Sequence, residues 1–114
     1  RDIEKAADGG SERAKLAIDV FCNGIIRYIG SYYAELGGLD HLVFTGGIGE
    51  HGCTIRRIVC SQLKHMGVLL DPEKNLDYSE NAVISLPESP VTIHVIPANE
   101  ELGVARKTFG YVRN

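Results

Sequence analysis

Leu42-Val43-Phe44-Thr45-Gly46-Gly47-Ile48-Gly49-Glu50-His51 is the stretch on which the fold turns. An apolar run enters a glycine cluster, an acidic residue follows, and a helical pattern begins directly afterwards. That order suits a buried strand ending in a tight loop whose backbone can lie against a nucleotide. Glycine reaches positive φ and carries no Cβ, so a base, ribose or phosphate can approach the main chain closely. Farther along, Ile93-His94-Val95-Ile96-Pro97-Ala98-Asn99-Glu100-Glu101 repeats the arrangement with an acidic segment in place of the glycines. Both read as strand-to-helix junctions able to face one site.

Working outward, Asp8-Gly9-Gly10-Ser11 is a turn ending in a good N-cap. From Ala14 the positions Ala17, Ile18, Phe21, Cys22, Ile25, Ile29, Tyr32, Tyr33 and Leu36 keep helical spacing until Gly37-Gly38. Leu42 to Thr45 form a short, nearly all-apolar strand, the pattern of a strand covered on both faces. A second helix is expected over Cys53 to His65, with Ile55, Ile58, Val59, Leu63 and Met66 inward and Gly67 just past its end. Val68-Leu69-Leu70 reads as a short strand and Asp71 to Asn75 as a polar turn. Val83 to Leu86 is a candidate edge strand. Val91, Ile93 and Val95 alternate as a strand that Pro97 stops. Asn99 is expected to cap a final helix with Leu102, Ala105, Phe109 and Val112 on its inner face. The order α-β-α-β-(β)-β-α is an α/β architecture without internal repeats.

The 114 residues form one domain at most, 44% hydrophobic and 24% charged, with a formal net charge of −3. No basic tract is present, so no nucleic-acid partner is expected. The apolar runs are too short for a membrane-spanning helix, and with no charged n-region and apolar h-region at the start of the sequence no secretion is expected. Cys22, Cys53 and Cys60 are odd in number, form no C-x-x-C pair and lie in helical patterns. They read as reduced, mostly buried thiols of a cytoplasmic protein. The chain opens on Arg1 and its only methionine is Met66, so a piece of a longer polypeptide is expected.

Gly47-Ile48-Gly49-Glu50-His51-Gly52 satisfies G-x-G-x-x-G, and Asp71 lies where a ribose-binding acid would sit in a dinucleotide-binding domain. Two points stand against that rival. Glu50 would put a carboxylate in a loop meant for pyrophosphate, and Asp71 leads straight into Pro72 rather than ending an apolar strand.

The two junctions together resemble the acetate kinase family, with its propionate and butyrate kinase relatives. Val43 to His51 resembles the family's V-F-T-[AG]-G-I-G-E-[NH], and Val95 to Arg106 resembles V-I-P-[TA]-[ND]-E-E-L-x-I-A-R. Between them Ile55-Arg56, Gly67-Val68 and Leu70-Asp71-Pro72-Glu73-Lys74-Asn75 fall where the family has I/V-R, G-I and L-D-x-x-K-N. Arg1 to Ala7 resembles the tail of S-x-D-x-R-D-[IL]. The likeness spans essentially all of residues 1–114, which would be the last quarter or so of a complete kinase.

The resemblance implies part of the C-terminal actin-like, ribonuclease H-like ATPase domain of the acetate and sugar kinase, heat-shock protein and actin superfamily, with a mixed sheet flanked by helices. It implies transfer of the γ-phosphoryl of ATP to acetate with Mg²⁺ or Mn²⁺, in a cytoplasmic homodimer. Carried over residue by residue, Gly47, Ile48, Gly49, Glu50 and His51 correspond to the adenosine-binding loop. Arg1 corresponds to the arginine of the D-x-R nucleotide contact, and Glu100 to the glutamate that positions Mg²⁺. Gly46 stands where many relatives have Ala, and His51 where most have Asn. The remaining catalytic residues of the family would lie upstream of Arg1.

Some of these residues also have plainer readings. Glu100 at a helix start would favour the macrodipole. Arg56 and Arg57 read as a surface pair, with a ribose or phosphate contact open to Arg56. His41, His65 and His94 show no ligand spacing and read as surface or strand residues, and Tyr32 and Tyr33 as packing groups.

Overall fold

The computed structural model describes residues 12–45, 52–76, 82–96, 102–106 and 110–113. The first element, α1, runs from Glu12 to Leu36, and its Ile18, Cys22 and Ile29 are buried. Ile25, Ile26, Tyr32, Tyr33 and Leu36 pack partly buried against the same core. The helix stops where the glycines predict. Gly37 and Gly38 take φ of 76° and 139°, and both N–H groups donate to the Tyr33 carbonyl at 3.0 Å.

Strand β1, His41–Thr45, sits at the centre of a five-stranded sheet. It is parallel to β3, Thr92–Ile96, on one side and antiparallel to β4, Leu102–Arg106, on the other. β2, Ala82–Val83, pairs with β3, and β5, Gly110–Arg113, with β4. Leu42 to Thr45 are all buried, as a near-continuous apolar run predicts, whereas β3 alternates. Leu42, Phe44, Ile93 and Val95 meet the helical layer in one core with Ile18, Ile29, Val59 and Leu63.

Helix α2, Cys53–Ser61, is shorter than its apolar pattern suggests. At Gln62 and Leu63 the N–H groups bond to Val59 and Cys60, three residues back, and the chain leaves the α-helical path. Leu63 then lies fully buried, and a separate 3-10 turn at Lys64–Met66 delivers Gly67 in left-handed conformation. The expected strand at Val68 to Leu70 is present only as single bridges, Val68 to Val91 and Leu70 to Ser85. Ser89 secures that corner. Its hydroxyl accepts from the Leu69 N–H at 3.0 Å, and its own hydrogen lies between the carbonyls of Val91 at 2.6 Å and Gly67 at 3.0 Å.

The polar run after Leu70 forms a short helix, α3, Pro72–Leu76, rather than an open turn. Asp71 caps it, accepting from Glu73 N–H at 3.0 Å and Lys74 N–H at 3.3 Å, with Pro72 in the first helical position. The carboxylate weighed as a ribose ligand is thus a helix cap.

The expected final helix is corrected. Residues 102–106 and 110–113 are strands, and Leu102 to Ala105 pair along the second edge of β1. Gly103, Val104, Thr108 and Gly110 are weak helix formers. Against that weak preference stand the N–H and C=O groups on the far edge of buried β1, which need partners. The ladder satisfies them, and the helical spacing of Leu102, Ala105 and Val112 gives way, Phe109 lying outside the described residues.

Candidate functional site

Arg1, Gly47, Ile48, Gly49, Glu50, His51 and Glu100 all lie outside the described residues, as do Gly46 and residues 97–101. The strands that carry the two junctions are described. β1 and β3 are adjacent and parallel, in register from His41 with Thr92 to Thr45 with Ile96. The segment after Thr45 and the segment after Ile96 therefore leave the same end of the sheet from neighbouring strands. Carboxyl ends of parallel strands are where ligands gather in open α/β sheets, because the following loops diverge and leave a crevice. Residue 52 re-enters the described chain as the N-cap of α2. Gly52 makes no side-chain cap, its carbonyl accepts from Arg56 N–H at 2.8 Å, and the first turn has no acidic residue. Among the described residues no acidic side chain stands in that first turn, so the positive end of the helix dipole keeps its sign there.

Arg56 is not the surface residue considered above. It is fully buried. Its Nε donates to Asn75 Oδ1 at 2.5 Å and one terminal nitrogen to the Asn75 carbonyl at 3.1 Å. Asn75 Nδ2 in turn donates to the Cys53 carbonyl at 2.9 Å. This network binds the first turn of α2 to α3. The sequence signal was there as the matched I/V-R and L-D-x-x-K-N pair, but only the fold shows that its R and N meet.

Beside the network, a cavity of about 410 Å³ lies between α2, the 3-10 turn and α3, walled by Leu70 and Leu76, with Cys53, Cys60, Arg57 and Lys64 around it. Burial pushes the Cys60 thiol up to about 12, with the Arg56 charge working in the opposite direction. Cys22 is also buried, whereas Cys53 is half-exposed. The thiolate is the reactive form, so burial protects two of the three. In the native chain at pH 8, maleimide labelling followed by peptide mapping is expected to modify Cys53 and leave Cys22 and Cys60 unmodified until denaturant is added. Modification of Cys60 at a comparable rate would show that α2 and α3 do not pack as described.

The structure also joins two histidines that spacing kept apart. His41 Nδ1 lies 3.0 Å from His94 Nε2 across β1 and β3. Burial and the neighbouring His41 lower the His94 pKa.

A mixed sheet with a packed helical layer, and two junctions leaving one end of adjacent parallel strands, is the α/β arrangement of an actin-like ATPase fold. The chain belongs to the acetokinase family, whose sequence profile matches residues 1–106. It is 54% identical over 108 residues to the acetate kinase of Dictyoglomus turgidum, covering 95% of this chain and 27% of that protein. Among solved structures it is similar to the acetate kinase of Porphyromonas gingivalis, with TM-score 0.78 and 44% identity over 86% of this chain and 25% of that one. A propionate kinase from Francisella tularensis superposes with TM-score 0.77 and 39% identity, over 88% of this chain and 25% of that one. The chain thus spans about a quarter of the length of these relatives.

Proposed function

We propose that residues 1–114 are the C-terminal portion of the nucleotide-binding domain of an ATP:acetate phosphotransferase, and that the whole enzyme converts ATP and acetate to ADP and acetyl phosphate. A carboxylate oxygen of acetate bonds to the γ-phosphorus, and the bond to the bridging β,γ-oxygen breaks, leaving ADP. The alignment of Thr45 with Ile96 carries this reading, since it starts both family junctions side by side at the carboxyl end of the sheet. On it, Gly47 to His51 hold the adenosine, Arg1 contacts the nucleotide, and Glu100 positions Mg²⁺ (or Mn²⁺). Held there, the metal would neutralise charge on the phosphates, and one protein carboxylate with waters and phosphate oxygens is chemically sufficient to hold it.

Exposed apolar surface supports a larger body around this chain. Leu16, Val20, Phe21 and Tyr28 are all exposed on α1, where Leu16, Val20 and Tyr28 fall on one helical row. The enzyme would work in the cytoplasm as a homodimer. Among the described residues no helix is long and apolar enough to cross a membrane. A second acid, propionate, fits the reading as well, given the likeness to a propionate kinase.

Replacing Gly47 by valine in the complete enzyme tests the loop. A Cβ and two methyls there would hold the nucleotide off the backbone. The KM for ATP is expected to rise at least tenfold while the KM for acetate stays within about twofold. Equal loss for both substrates would remove the loop from the nucleotide site.

A further inference from the structure

We propose that His41 and His94 form a two-histidine site for a transition-metal dication such as Zn²⁺, Cu²⁺ or Ni²⁺, separate from the magnesium position of the family reading. The observation is geometric. His41 Nδ1 and His94 Nε2 are 3.0 Å apart, part-buried, with ring centroids 5.2 Å apart and planes tilted by 42°. Two nitrogens bound to one ion at about 2.0–2.1 Å stand about 2.9 Å apart at right-angle coordination and about 3.3 Å apart in a tetrahedron. The pair already has the separation that an ion needs.

Its support is rigid. His41 pairs with Thr92 and His94 with Val43, so the two imidazoles are diagonal neighbours on adjacent parallel strands at the middle of the sheet. Sites built on strands hold ligand geometry better than sites on loops. The side chains lie 53 residues apart in sequence, and register alone brings them together.

The proton count closes without oxidant or reductant. In the free pair one imidazole donates its N–H to the other's lone pair. On binding, the donor ring moves its proton to its outer nitrogen, the tautomer every neutral metal-bound histidine adopts, and both lone pairs turn to the ion. No net proton is released from a neutral pair. Imidazole nitrogen suits Zn²⁺, Cu²⁺ and Ni²⁺ and is a poor ligand for Mg²⁺, so the site would not take the magnesium of phosphoryl transfer. Two protein ligands leave the other positions to water. His41 opens β1, and the glycine loop follows its other end, so an ion here would brace the strand pair without standing in the nucleotide crevice.

The test is calorimetric titration of the metal-stripped chain, in a Cys53→Ser background, with ZnCl₂, NiCl₂ and CuCl₂ in turn. His41→Asn and His94→Asn are each expected to weaken binding at least tenfold. His65→Asn, on the exposed 3-10 turn, should leave it unchanged, as should millimolar Mg²⁺. Because either variant could unfold, the unsubstituted chain supplies an independent reading. Broadening of amide resonances by substoichiometric Cu²⁺ is expected to centre on residues 41–43 and 92–95. Unchanged affinity in a folded His94→Asn variant, displacement by Mg²⁺, or broadening centred elsewhere would overturn the site.

Discussion

Asn75→Ala is expected to lower stability by about 3 kcal/mol, more than Arg56→Met does, although arginine is the larger side chain. The reason is the asymmetry of burial. Arg56 is a fully buried cation, and Asn75 supplies it with a side-chain and a main-chain acceptor. Removing the side-chain acceptor takes the Nε hydrogen bond from a desolvated cation, whereas removing the charge leaves only a neutral amide short of its partner. For a chain of this size the melting temperature should fall by roughly 12 °C or more. The same loss frees the Cys53 carbonyl and loosens the first turn of α2. Arg56→Met should cost about 1–2 kcal/mol, and the double variant less than the sum of the two singles, because both remove one interaction. Chemical denaturation of the four proteins measures all of this. A double variant whose loss equals the sum would mean that the two residues stabilise the chain independently.

In the complete enzyme, Glu100→Ala is expected to cut turnover by about 10²–10³-fold, equivalent to roughly 2.7–4 kcal/mol of barrier, and to move half-saturation by Mg²⁺ upward. Phosphoryl transfer depends on positioning and on charge stabilisation of the transferring group, so a displaced metal reduces the rate even when both substrates bind. A solvated glutamate without a metal role should change stability by less than about 0.5 kcal/mol and leave kcat untouched. Glu100→Gln separates the two further, since it keeps size and polarity and removes only the charge. Full activity of that variant at limiting Mg²⁺ would withdraw Glu100 from the site.

Local physics made much of this chain legible from residues alone. The helical period of Ile18, Cys22, Ile25 and Ile29, the stop at Gly37-Gly38, and the apolar run Leu42 to Thr45 each depend on neighbours a few positions away. Those elements stand in the structure as read. The motif pair around Gly47 and Glu100 pointed to the acetate kinase family, and the profile match at residues 1–106 agrees. Three features were decided only by tertiary structure. Residues 102–106 carry an amphipathic helical period, yet the unpaired edge of buried β1 draws them into a ladder. Arg56 looks like one half of an exposed basic pair, yet α3 brings Asn75 beneath it and makes burial tolerable. His41 and His94 carry no signal at any sequence spacing; the parallel register of β1 and β3 creates their contact. Periodicity and caps are short-range properties and can be read along the chain. Edge satisfaction, buried charge and cross-strand contact depend on which distant segments meet, and that is determined by the packing of the whole sheet and its helices.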